Sequence, residues 1–153
     1  MPSPLHYWII EELSQVASSV GFECETEFAV KRSESQRGFI DLLLTREEIR
    51  IACDVELRRA RFEEDVMNAV AARAESWIIT PHGAVARRIK DSVSEMSFGS
   101  GHKPISVLTV YQAKQRLLRL KMSSVPRPTF RSEGHKAGTE LKNTRTPKGD
   151  VEC

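Results

Sequence analysis

Long apolar runs are missing from this chain: none extends beyond a few residues, against the roughly 20 that a membrane-spanning helix requires. No apolar signal region follows the start either, so the expectation is a soluble, cytoplasmic protein with no membrane partner. Cysteine is scarce. Cys24, Cys53 and Cys153 are odd in number and none pairs with another at metal-ligand spacing, which argues against structural disulfides and zinc. His6, His82, His102 and His135 show no mutual spacing for a metal and read as loop or surface residues, with His82 worth checking because it follows a short apolar run. A strong charge bias is missing too, since the net charge is only +2. The excess is local: from Lys121 to Cys153, seven Lys and Arg residues face four acidic ones, leaving the rest about neutral.

What is present suits one core. A chain of 153 residues with 40% hydrophobic content fills a single compact domain and not comfortably two. Pro4 starts a helix whose apolar positions Leu5, Trp8, Ile9, Leu13, Val16, Ala17 and Val20 recur at helical spacing until Gly21. Phe22 to Val30 reads as a strand, and two further strands follow around Asp41 and around Glu56, joined by the short charged turn from Thr45 to Glu48. Glu63, Glu64 and Asp65 place negative charge in the first turn of a second helix running to about Ser76, with Val66, Val70 and Ala74 on one side. Trp77 to Thr80 is short and fully apolar, the pattern of a central parallel strand buried on both faces. A helix from Ala84 to about Met96, a strand from Ile105 to Val110 and a short helix from Tyr111 to Leu120 complete the order α-β-β-β-α-β-α-β, with a last helix. No internal repeat interrupts it. Past Ser123 almost no apolar residue remains to offset ordering entropy, so the expected division is a domain over residues 1–121 and a disordered basic tail over 122–153.

The informative residues are three carboxylates inside apolar strands. Asp41 interrupts Phe39-Ile40-Asp41-Leu42-Leu43-Leu44, and Asp54 and Glu56 interrupt Ile51-Ala52-Cys53-Asp54-Val55-Glu56-Leu57. Strand alternation puts Asp54 and Glu56 on one face with Ala52 and Arg58, leaving Ile51, Cys53, Val55 and Leu57 on an apolar one. Asp41, expected on a face with Phe39 and Leu43, approaches the Asp54 side across the short turn. Like charges on a half-buried surface repel and lose hydration unless a cation joins them. Hard oxygen donors from two strands suit magnesium, or manganese, with Asp41, Asp54 and Glu56 as ligands. Such a centre activates a water against a phosphodiester, with Glu56 orienting or deprotonating the water and Arg58 offering charge to the phosphate. The bland reading is an edge strand whose charges prevent edge pairing.

Over residues 5–110 the chain resembles the PD-(D/E)xK nuclease superfamily, the restriction-endonuclease-like fold. The first helix, the three-stranded meander, Asp41 on its second strand, Asp54-Val55-Glu56 on its third, the following helix and the short buried strand carry the resemblance. It implies an α/β domain with a mixed sheet of about five strands flanked by helices, a metal-dependent endonuclease activity on DNA, and action as a homodimer or with a partner protein. Two positions depart from the pattern: Ile40 precedes Asp41 where proline is common, and Glu56 stands at the usual lysine position, a variant some restriction enzymes show. A second frame takes Glu56-Leu57-Arg58 as the acidic-x-basic set, but arginine does not release its proton to act as a base. Family members often add an acid from the first helix; Glu12, beside the apolar face, is the preferred fourth carboxylate. Asn68 or Arg73 from the second helix is open as a further neighbour, as are phosphate contacts from Arg58, Arg59 and Arg61. The alternative function is a nuclease-fold module without turnover that binds DNA or a protein.

Overall fold

Ser3 caps the first helix, its hydroxyl accepting the His6 amide at 3.2 Å, and Pro4 occupies the first turn, where a missing N–H costs nothing. In a computed structural model, which describes residues 2–58, 62–96 and 102–123, this helix is α1, Pro4–Ser19. Gly21, at φ +94°, turns the chain out of it. Three antiparallel strands follow, β1 (Glu23–Lys31), β2 (Arg37–Arg46) and β3 (Ile49–Val55). Then come α2 (Phe62–Ala71), β4 (Glu75–Thr80), α3 (Gly83–Ser94), β5 (Ile105–Thr109) and α4 (Val110–Ser123).

The five strands form one mixed sheet in the order β1-β2-β3-β4-β5, with β3, β4 and β5 parallel. The expected α/β class and element order are therefore observed, and the apolar run around Trp77 is the central parallel strand. Helices cover both faces. Ile9, Leu13 and Ala17 of α1 and Ala113 and Leu117 of α4 pack with Leu42, Leu44, Ile51, Cys53, Trp77 and Ile79 on one side. On the other, α2 and α3 bring Phe62, Val66, Ala69 and Ile89 against Ile40, Leu43, Ala52, Ile78 and Val107. Full burial of a side chain of this size contributes about 1.5–3 kcal/mol, so these two layers hold the sheet rigid around whatever its strand ends carry.

Two expectations about the second helix are corrected. It stops at Ala71 rather than near Ser76, because Arg73 takes a left-handed conformation (φ +57°) and Glu75 and Ser76 belong to β4, where Glu75 accepts the Trp77 indole N–H at 2.7 Å. Its buried side is also different: Val70 is exposed, while Phe62, Asp65, Val66, Asn68 and Ala69 face inward. Two polar residues on the inner face of a short helix ask what they meet there. Of the basic tail expected from residue 122, Met122 and Ser123 have helical backbone, because α4 runs on past the expected end at Leu120; the rest of the tail lies outside the described residues, as do Arg59 and Arg61. Among the described residues no helix is long and apolar enough to cross a membrane.

Candidate functional site

The meander opens at Asp41. Backbone pairing between β2 and β3 runs from Arg46–Ile49 to Leu42–Cys53, and the next positions, Asp41 and Asp54, are joined by side chains instead. The Asp41 amide donates to Asp54 Oδ1 at 3.0 Å, and the Val55 amide donates to Asp41 Oδ2 at 2.9 Å. Each carboxylate thus supplies an acceptor that a ladder carbonyl would otherwise provide, and the two strands are locked together as they separate.

The β1–β2 ladder also skips a position there: Thr26 pairs with Leu42 and Phe28 with Ile40, but Glu27, opposite Asp41, stands at φ +51°. A non-glycine residue in that conformation stores strain, and such strain gathers where a chain is being re-aimed. The consequence shows in the packing. Ile40 sits in the α2 layer and Leu42 in the α1 layer, although residues two apart on a regular strand share a face. Asp41 is therefore released from the face it was expected to share with Phe39 and Leu43; Phe39 is exposed while Leu43 is buried.

Asp54 lies on the α2 side and is 2% exposed. Burial, followed by the nearby Asp41 charge, pushes its carboxyl well above the usual range, although the hydrogen bond from the Asp41 amide opposes the shift. Asp65, on the inner face of α2, is the side chain that sequence reasoning missed as a site residue. Its carboxyl is pushed up to about 11 by burial first, then by the Asp54 charge and by its hydrogen bond with Glu56. A bond between two carboxyl groups requires one of them to keep a proton. Asp54 Oδ2 and Asp65 Oδ2 are both buried without a hydrogen-bond partner. Four carboxyl groups, Asp41, Asp54, Glu56 and Asp65, accordingly influence one another at the point where β2 leaves β3 and α2 begins.

Gly38 brings α2 this close. A Cβ there would lie 2.1 Å from Asn68 Oδ1, so only glycine leaves room for Asn68, whose side-chain amide donates to the Phe39 carbonyl at 3.1 Å. Asn68, of the two residues left open, is the one that faces the site; Arg73 is exposed at the turn after α2.

From the opposite layer, His6 of α1 puts Nε2 3.1 Å from Asp41 Oδ2. Its expected surface placement is corrected: capping by Ser3 aims the first turn of α1 at the strand opening. Glu12 is paired elsewhere, accepting from Lys114 of α4, whose ammonium also lies 5.8 Å from the Trp8 ring centre. The contact from α1 to the acidic strands is thus made by His6, not by Glu12. Arg58 is exposed two residues beyond Glu56, and His82 precedes α3, its carbonyl accepting from the Thr80 hydroxyl.

Among the described residues no three His, Cys, Asp or Glu side chains stand in a metal-holding arrangement. Asp41 Oδ2 is turned to the Val55 amide and to His6. The donor chemistry nevertheless fits a hard cation, because two buried carboxylate oxygens lack a hydrogen-bond partner and burial beside like charge works against their ionisation unless a cation joins them.

No family model matches the chain, and no curated protein does. Among solved structures it is similar to the crystal structure of a protein of unknown function, AF1548, at 14% identity and a TM-score of 0.43, covering 87% of this chain and 78% of that one. A likeness of that size bears on neither activity nor ligand.

Proposed function

We propose that the protein is a metal-dependent nuclease that hydrolyses phosphodiester bonds, with DNA as its substrate. One observation carries the reading: the reciprocal lock of Asp41 and Asp54, with Asp65 and Glu56 joined beside it and two buried oxygens left without partners. The two hydrogen bonds hold the strands, but gathering four carboxyls at a buried point works against stability. Burying like charges costs several kcal/mol per ion in order of magnitude, so their retention calls for a task in which a cation or a proton takes part.

Asp41, Asp54 and Glu56 would hold magnesium or manganese, with Asp65 beside them; the ion, when bound, supplies Lewis-acid stabilisation of a phosphoryl oxygen and an acidified water. His6 fixes the orientation of Asp41 through its Oδ2. Glu56 shares its hydrogen bond with Asp65, so the pair provides a place for a proton taken from the attacking water. This gives the Glu56–Asp65 pair the part that a lysine at position 56 would have played. Arg58, exposed and two residues on, offers charge to the phosphate. The free thiols of Cys24 and Cys53 fit a reducing compartment, consistent with a cytoplasmic setting.

A second reading keeps the fold and the DNA but drops turnover. It is favoured by the absence, among the described residues, of a ready ligand set and by Glu56 at the lysine position. Incubating plasmid, linear and branched DNA with magnesium or manganese and with wild-type, Asp41→Ala and Asp54→Ala proteins decides between them. Metal-dependent cleavage lost in both variants supports hydrolysis; binding with no cleavage supports the module.

A further inference from the structure

The parallel half of the sheet ends at β5, and among the described residues no strand pairs with its outer edge. A trench of about 450 Å³ runs along that edge, walled by α3 on one face of the sheet and α4 on the other. Lys90 of α3 and Arg116 and Arg119 of α4 line it, and among the described residues no acidic side chain does. Arg116 is held in place: it donates to the Ser106 hydroxyl at 2.7 Å and its guanidinium lies 5.5 Å from the Trp77 ring centre. A planar donor fork anchored at one nitrogen keeps further N–H groups for an anion. On α4, Tyr111, Gln115 and Arg119 recur at spacing four and form one stripe; Gln112 and Arg116 form the neighbouring one. Tyr111 is 70% exposed, an aromatic ring at the end of the stripe that carries Arg119.

The start of α4 does not supply the anion site, because Thr109 and Gln112 close it reciprocally, the Gln112 amide donating to Thr109 Oγ1 and the Thr109 amide to Gln112 Oε1. Nor does a second copy of β5 suit the edge, since pairing would bring two sets of cations together, the arrangement by which edge strands avoid one another. Cations on both walls with an exposed ring on the same helix instead match an extended polyanion carrying flat groups. We propose that the β5-edge trench binds a single nucleic-acid strand, with its phosphates along Lys90, Arg116 and Arg119 and a base stacked on Tyr111. The site is built two strands away from β3 and its carboxylates. It rests on the nuclease reading only for the identity of the polymer.

The test is binding of a fluorescent oligothymidylate in EDTA, which removes metal-dependent cleavage, over a series of salt concentrations. Lys90→Ala/Arg119→Ala is expected to weaken binding about tenfold or more and to lower the salt slope by about 1.4, at about 0.7 for each phosphate contact on a single strand. Tyr111→Ala is expected to weaken binding between about 5- and 150-fold with the slope unchanged. All three positions are exposed, and melting curves matching the wild type show that the variants are folded. Unchanged affinity and slope in the double variant would overturn the proposal, as would preference of the same trench for a polyglutamate peptide. Cleavage fails independently: a protein that binds through the trench but never cuts sinks the nuclease reading alone, and one that cuts while trench variants bind normally sinks the trench alone.

Discussion

Replacing Asp65 by asparagine should make the metal-free protein more stable at neutral pH. The carboxyl titrates at 3.8 in its ordinary state and is pushed up to about 11 in the fold. Between these values the folded protein holds a proton that the unfolded chain has released. Stability attached to this group is therefore complete below about pH 4 and declines as pH rises toward the folded value, by about 1.4 kcal/mol per pH unit. By pH 7 the decline is about 4 kcal/mol, and relaxation of the surrounding structure on ionisation reduces the observable part to about 1–3 kcal/mol. Asparagine has the same shape, carries no ionisable group and still donates to Glu56. Urea melts in EDTA from pH 4 to pH 8 should show the variant equal to the wild type at pH 4 and about 1–3 kcal/mol more stable at pH 8, with a shallower pH dependence. Parallel pH profiles, or a variant less stable at pH 8 by as much as at pH 4, would refute the view that Asp65 carries a buried proton.

Three further outcomes follow from the same geometry. Gly38→Ala should cost about 1–3 kcal/mol, because its methyl group enters the space of buried Asn68, and Asn68→Ala in the same chain should recover part of the loss in thermal melts. Lys114→Ala should cost at most about 1 kcal/mol, since the Glu12–Lys114 pair is partly solvated, and should leave DNA cleavage unchanged; a large loss of cleavage would return Glu12 to the site. Magnesium at 100 times its dissociation constant should stabilise the wild type by about 2.7 kcal/mol at pH 8, and calorimetry in buffers of different ionisation enthalpy should record proton release on binding. Binding without proton release would mean that the carboxyls of Asp54 and Asp65 are already ionised.

Asp41 and Asp54 were legible in the sequence because an aspartate amid Ile and Leu on a strand violates both propensity and burial, and only a partner at that point explains it. The element order was legible for a similar reason: alternation, helix starts and turn residues agree along most of the chain. Asp65 was hidden by its neighbours, since Glu63-Glu64-Asp65 is also what a helix start recruits for its dipole, and nothing local distinguishes the inward carboxylate from the two solvated ones. His6 was hidden because its contact spans 35 positions to Asp41 and depends on how α1 lies on the sheet. The end of α2 was misread for a different cause: the alanines from Ala69 to Ala74 continue a helical pattern that the left-handed turn at Arg73 overrides. The break opposite Glu27 has no sequence mark at all, because glutamate neither favours nor signals a positive φ.

The most direct measurement is the rate of DNA cleavage by wild-type protein beside Asp54→Asn, with magnesium, with manganese and with EDTA. Asparagine keeps the shape of Asp54 and an oxygen for the Asp41 amide while removing the charge that a cation needs. Metal-dependent hydrolysis at these carboxylates predicts cleavage by the wild type with either metal, none in EDTA, and a loss of at least about a hundredfold in the variant despite normal folding. Cleavage that persists in EDTA, or that Asp54→Asn leaves intact, would contradict it.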